Sequence, residues 1–81
     1  MILHVDEVVE VGGRFGRGLA LEKVWWRGRE YEIKKLGYHH TFRRGRTLIH
    51  VYSVASDNLF FRLEMDSENL TFRVMETEDD V

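Results

Sequence analysis

Apolar and polar residues alternate with a period of two along most of the chain. This alternation places successive side chains on opposite faces of a β-strand, and no segment carries the 3.6-residue stripe of a long amphipathic helix. Valine, isoleucine and aromatic residues are frequent and proline is absent, which favours strands. The pattern predicts an all-β protein with strands at about 2–11, 19–27, 30–43, 47–55, 59–65 and 70–77.

Short polar or glycine-bearing turns separate the predicted strands, and turns of this length join neighbouring antiparallel strands. We therefore expect an antiparallel meander of five to six strands that forms a small barrel or a strongly curled sheet. The 81 residues are expected to form one small β-domain. Within it, the glycine-rich residues 12–18 are expected to be a flexible connection and the acidic residues 77–81 a frayed tail.

The segment VWWRGREYEI, residues 24–33, is typical of a tight hairpin. If Gly28 and Arg29 form a two-residue type II′ turn, Trp26 lies opposite Tyr31, and the flanking apolar residues pair in the same way. Trp25 then lies on the other face, among charged side chains. The hairpin accounts for Trp26 and leaves Trp25 without a structural partner.

Two four-residue loops, at 55–58 and 66–69, are expected to connect the last three strands. The registers that these loops set place one series of side chains on a common buried face. This face comprises Leu48, His50, Tyr52, Val54, Leu59, Phe61, Leu63, Met65, Leu70, Phe72 and Val74.

The predicted registers place Arg62 directly opposite Arg73 on the other face of these three strands. This face is too apolar for open solvent, so the curl of the sheet, the N-terminal strand or a second subunit is expected to cover the face. If a second subunit covers it, the protein self-associates and forms a homodimer. The candidate residues of this self-association surface are Trp25, Ile49, Val51, Phe60 and Met75.

Charge is unevenly distributed along the chain, although the formal net charge is only −2. Residues 14–50 contain ten Lys or Arg and three Glu, and acidic segments flank them on both sides. This arrangement is typical either of a recognition face or of neighbouring strands that neutralise each other across a sheet, and the second interpretation is favoured.

Single-stranded nucleic-acid binding is the alternative function that the residues allow. It requires a basic surface with aromatic side chains on which unpaired bases stack. The pI of about 6.1 is lower than such a domain usually has. The candidate residues are Trp25, Arg27, Arg29, Arg43, Arg44 and Arg46.

Catalytic, cofactor and metal sites are not predicted. The glycine stretch precedes a strand, whereas phosphate loops precede a helix. His39 and His40 are adjacent on a strand and therefore point to opposite faces, and His50 falls on the predicted core face. The chain has no cysteine, no apolar run long enough to cross a membrane and no N-terminal export pattern, so we expect a cytoplasmic, non-enzymatic protein.

The box W-R-G-R-x-Y-x-I, formed by Trp26, Arg27, Gly28, Arg29, Tyr31 and Ile33, resembles one in a group of short bacterial β-proteins. In that group the box is followed by segments similar to HVYSV, FRLEMD and LTFRV here, so the resemblance covers about residues 20–75. Some members are associated with DNA-repair polymerases. The resemblance implies a setting linked to nucleic acid and no catalytic activity.

Overall fold

Seven antiparallel strands form one sheet in the computed structural model, which describes residues 1–79. The prediction of an all-β antiparallel protein is confirmed. Along the sheet the strands follow the order β3-β2-β1-β7-β6-β5-β4. Their bounds are β1 Ile2–Phe15, β2 Leu19–Trp26, β3 Arg29–Glu32, β4 Lys35–Arg44, β5 Thr47–Ala55, β6 Leu59–Asp66 and β7 Thr71–Asp79.

The predicted strand at 30–43 is in fact two strands, because the chain changes its pairing partner within it. The backbone N–H of Ile33 donates to the Glu22 carbonyl at 2.9 Å, whereas that of Lys34 donates to the Ala55 carbonyl at 2.8 Å. The chain thus leaves the edge of β2 and joins the edge of β5 at consecutive residues. Over residues 1–79 the edge strands β3 and β4 form no ladder with each other, so the sheet is not closed into a barrel.

The first strand is longer than predicted, because it continues through the first glycines of the stretch at 12–18. A β-bulge lies between Gly12 and Gly13. At Gly13 the backbone of β2 approaches so closely that a Cβ atom would meet the carbonyl oxygen of Ala20. These glycines therefore allow close strand contact, and only residues 16–18 connect β1 to β2.

The predicted hairpin registers are each displaced by two residues. In the first hairpin Val24 lies opposite Tyr31 and Trp26 opposite Arg29. The turn is formed by Arg27 and Gly28, whose φ angles of 52° and 76° are those of type I′ rather than type II′. A displacement by two preserves the alternation of faces, so Trp25 and Trp26 lie on the two faces that were predicted.

The predicted pairing of Arg62 with Arg73 is wrong, because the displaced register places Arg73 opposite Glu64. A bulge in β7 then shifts the pairing of Arg62. Leu63 lies opposite Val74 but Arg62 lies opposite Glu76, which leaves Met75 as the extra residue. Arg62 thus lies opposite the carboxylate of Glu76 instead of a second arginine. β7 then continues through Asp79, so the predicted tail at 77–81 does not begin at residue 77; residues 80 and 81 lie outside the described residues.

The core lies on the inner face of the sheet, where the β2–β3 hairpin folds over β6. The Trp26 and Tyr31 rings contact Phe61 edge-on, with centroids 5.8 and 5.0 Å away. The buried cluster comprises Val24, Trp26, Tyr52, Val54, Phe61, Leu63, Met65 and Val74. Of the predicted buried face, Leu48, His50, Leu59 and Phe72 are half-buried, and Leu70 is exposed because it lies in the β6–β7 turn.

Candidate interaction surface

The protein's own side chains cover most of the apolar outer face of β5. Ile49 and Val51 are only 2% and 3% exposed. Their cross-strand neighbours on β4 are Phe42 and His40. A second subunit is therefore not needed to bury these two residues, although Phe60, another candidate of the self-association surface, remains exposed.

A crevice of about 470 Å³ crosses the outer face from β4 to β1. Met75, the bulge residue of β7, lines it. Each carboxylate in the lining faces an arginine: Asp6 is 2.8 Å from Arg73, Glu64 is 3.1 Å from Arg44, and Glu76 is 3.6 Å from Arg62. These ion pairs balance the charge of the crevice. Those of Asp6 and Glu76 connect neighbouring strands, and that of Glu64 connects β6 to β4 across β5. The lining residues are His4, Val5, Asp6, His40, Phe42, Val51, Arg62, Glu64, Met75 and Glu76.

Trp25 lies on the outer face of β2 and is 36% exposed. Its indole N–H donates to a Glu30 carboxylate oxygen at 3.1 Å, and the ring lies over Gly12, where a Cβ atom would come within 2.9 Å of it. Lys23 also contacts Glu30, at 3.3 Å. The predicted outward orientation of Trp25 is confirmed, and its hydrogen-bond partner is an acidic residue.

The six candidate nucleic-acid residues do not form one surface. Arg27 and Arg29 lie at the β2–β3 turn, whereas Arg43, Arg44 and Arg46 lie at the β4–β5 turn. The ladders show that these two turns extend from opposite ends of the sheet.

Three of the five arginines in this set already have partners within the chain. Arg27 binds Glu7, Arg44 binds Glu64, and the Arg43 guanidinium donates to the carbonyl of Arg46. Carboxylates thus compete for two of the cationic groups that phosphates would need. The structure therefore groups the arginines in two separate turns and does not join the two groups in one basic surface.

The histidines of β4 point to opposite faces, as predicted. On the inner side His39 Nε2 lies 3.0 Å from His50 Nδ1, and the His39 ring stacks on Tyr52 with centroids 4.5 Å apart. Burial raises the pKa of the Tyr52 phenol. On the outer side, the buried Nδ1 of His40 has no hydrogen-bond partner among residues 1–79.

A metal centre is not visible in this arrangement. Within the described part of the chain, no group of three or more His, Cys, Asp or Glu side chains could hold a metal ion. His39 and His50 form a pair, and burial raises the pKa of their neighbour Tyr52 further above its ordinary value, so the phenol is a poor metal ligand.

The two edges of the sheet differ in length and in side chains. β3 has four residues, three of them charged, whereas β4 has ten residues and an uncharged central segment from Leu36 to Phe42. Leu36 and Tyr38 are 53% and 61% exposed, and the Phe42 ring is also partly exposed. An exposed and apolar edge strand offers unpaired backbone groups to another strand.

Hydrogen-bond alternation shows which backbone groups of β4 face the open edge. The Leu48 carbonyl accepts from the N–H of Ser67 on the β6 side, so Ile49 and Val51 must turn their backbone groups toward β4. Their partners Phe42 and His40 are therefore bonded within the sheet. His39, Thr41 and Arg43 direct their N–H and C=O groups outward.

This edge is the feature that the sequence pattern does not show. Residues 30–43 predict one continuous strand, and nothing local indicates that they form the two edge strands of the sheet. The aromatic residues Tyr38 and Phe42 are the only hint in the sequence that this strand has an apolar edge. A strand with neighbours on both sides shows the same alternation of apolar and polar residues.

Comparison with known proteins identifies no relative: no family model matches the chain, and no curated protein or solved structure is significantly similar to it. The resemblance of the W-R-G-R-x-Y-x-I box to a bacterial group stays a prediction. Residues 1–79 contain no helix that is long and apolar enough to cross a membrane.

Proposed function

We propose that this protein is a non-enzymatic interaction module that forms a homodimer by pairing the β4 strands of two copies. The observation that carries the proposal is the open β4 edge, ten residues long, with an uncharged centre and exposed apolar side chains. Pairing would satisfy backbone groups at this edge and bury those side chains. The self-association surface that we propose is therefore the edge of β4 and not the outer face of β5.

The β4 sequence is self-complementary about His40. In an antiparallel two-fold arrangement centred there, Tyr38 lies opposite Phe42 of the second copy and His39 lies opposite Thr41. His39 and Thr41 are the residues whose backbone groups face outward, so they form the hydrogen-bonded pairs of this register. Two aromatic pairs then lie on one face, and cross-strand aromatic pairs stabilise a sheet. Within Lys35–Arg44 of the two copies, no like-charged residues lie directly opposite each other.

The other edge explains why assembly would stop at two copies. β3 is short, and its outward-facing residues Glu30 and Glu32 carry charge. Short and charged edge strands resist pairing with another chain. With one open edge and one protected edge, a two-fold contact is closed and does not propagate into a filament.

We favour this proposal over single-stranded nucleic-acid binding because the candidate arginines lie at opposite ends of the sheet. Trp25 donates to Glu30, and a carboxylate beside a stacking platform repels a phosphate backbone. We further propose a cytoplasmic location, in keeping with a chain that lacks cysteine.

The proposal is tested by sedimentation equilibrium with Thr41→Pro. Proline removes an N–H that faces the open edge and leaves the hydrogen bonds between β4 and β5 intact. We expect the original protein to be a dimer at micromolar concentration and Thr41→Pro to be a folded monomer. The matched control is Glu32→Pro, which removes an outward N–H from β3 and should leave the dimer unchanged.

A monomeric original protein at all concentrations would overturn the proposal, as would a Thr41→Pro protein that remains folded and dimeric. An oligonucleotide titration at two salt concentrations distinguishes the alternative. Tight binding that weakens steeply with salt would favour the nucleic-acid function instead. Equal dissociation constants for the original protein and a Trp25→Ala variant would show that Trp25 is not the stacking platform.

A further inference from the structure

We infer that protonation of His40 weakens dimer formation, so that the β4 contact is sensitive to mild acidification. This inference rests on the proposed function and concerns the regulation of the same edge. It begins from the position of His40, which lies within the uncharged segment of β4 and at the centre of the proposed register.

In the register centred on His40, the two copies of this residue form the pair at the two-fold axis. It is a non-hydrogen-bonded pair, because the backbone groups of His40 face β5, and in such pairs the Cβ atoms lie about 4.5–5.5 Å apart. Both imidazoles project from the same face. One proton can be shared between them, but a second proton places two cations in contact.

A single copy meets no such obstacle. The charged and titratable side chains that share the crevice with His40 come from β1, β6 and β7: His4, Asp6, Arg62, Glu64 and Glu76. The neighbours on its own and the adjacent strand, Tyr38 and Val51, carry no charge. Each carboxylate of the crevice is already paired with an arginine, so the difference between the monomer and the dimer comes from the second His40 imidazole alone.

The monomer therefore binds one more proton per pair of copies than the dimer does. Imidazole ordinarily titrates near pH 6.5. By linkage, the dimer is favoured above this value and is weakened as the pH falls below it, by about tenfold per pH unit for one excluded proton. The His39–His50 hydrogen bond does not contribute to this difference, because it forms within each copy.

The experiment compares dimer dissociation constants at pH 7.5 and 5.5, at constant ionic strength, by sedimentation equilibrium. For the original protein we expect the constant to rise about tenfold at the lower pH. His40→Gln, which keeps a polar side chain but cannot be protonated, should show less than about a twofold change. His4→Gln is the matched control, because it removes a crevice histidine away from the edge, and it should respond as the original protein does.

The outcomes separate the two proposals. If no dimer forms at pH 7.5, the proposed function itself fails. If the dimer forms but its dissociation constant does not change with pH, or if His40→Gln responds as strongly as the original protein, only the inference fails.

If His40→Gln does not dimerise at all, an NMR titration of the His40 imidazole tests the inference instead. The His40 imidazole should titrate at a lower pH in the dimer than in the monomeric Thr41→Pro protein. Equal midpoints would overturn the inference.

Discussion

The carboxylate of Glu7 accepts a hydrogen bond from the indole N–H of Trp26 at 2.8 Å. The same carboxylate accepts from Arg27 Nε at 3.0 Å, so one side chain of β1 binds both residues at the end of β2. The guanidinium of Arg27, followed by the indole of Trp26, holds the pKa of Glu7 below its ordinary value of 4.5. The charged carboxylate thus stabilises the attachment of the β2–β3 hairpin.

Replacing Glu7 should reduce the loss of stability in acid. Because the pKa of Glu7 is lower in the folded state, its stabilising effect is present above about pH 4.5 and is lost as the pH falls through the folded value. We expect Glu7→Gln to be less stable than the original protein at pH 6 and to lose less stability between pH 6 and 3. Urea unfolding followed by tryptophan fluorescence measures both. Glu10→Gln, on the exposed side of β1, is the control; equal acid losses in the original protein and Glu7→Gln would contradict the prediction.

Gly13 should tolerate no side chain. A Cβ atom there would meet the Ala20 carbonyl oxygen, and backbone of the adjacent strand cannot move aside without breaking the ladder. We expect Gly13→Ala to destabilise the protein by about 1–3 kcal/mol. Gly16→Ala should be nearly neutral, because nothing lies within 4 Å of a Cβ atom at that position. Thermal unfolding compares the two, and similar values would show that the strands separate easily at Gly13.

Leu63 should be among the most sensitive core positions. It is 0% exposed and lies between Tyr52 and Val74 on the neighbouring strands. Leu63→Ala removes this packing and leaves a cavity, so we expect a loss of about 2–5 kcal/mol in the free energy of unfolding. Leu59→Ala is the matched control, since Leu59 is only half-buried on the same strand. A loss at Leu63 no greater than that at Leu59 would contradict the structure.

Leu70 should be a position where glycine increases stability. Its φ of 58° is strained for a residue with a side chain and unstrained for glycine. Its side chain is 64% exposed, so little packing is lost. We expect Leu70→Gly to stabilise the protein by about 0.5–1 kcal/mol, and Leu70→Ala to bring no such gain. Chemical denaturation decides between the two; a gain with alanine as well would point to the exposed side chain rather than to φ.

The faces of the strands can be predicted from the sequence, whereas the registers cannot. A period of two assigns Trp26 and Leu63 to the interior regardless of loop length. Register depends on which residues adopt a positive φ at each turn, and here Arg27 and Leu70 do so although neither is glycine. A prediction that assigns this role to glycine alone therefore displaces the turn.

The candidate surface is harder to predict, because it depends on contacts between residues distant in sequence. The residues at 30–43 have the pattern of one strand, and only the positions of β2 and β5 show that each half is an edge strand with a single neighbour. The pairing of Trp25 with Glu30 is local, but it follows only from the observed hairpin register, because the predicted register places Glu32 opposite Trp25. The opposite positions of the two arginine turns follow from the ladders through β1 and β7, which no local pattern encodes.

The position of β1 in the middle of the sheet has a consequence for synthesis of the chain. Ile2 pairs with Glu78, so β1 acquires its second neighbour in this sheet only when β7 has been made. Before β7 is made, β1 can pair only with β2. The growing chain then exposes an unpaired strand edge along residues 2–9. Sheets built on such distant pairs fold slowly, and exposed edges invite aggregation. This protein should therefore fold after translation of β7 rather than progressively, and chains truncated before residue 71 should aggregate.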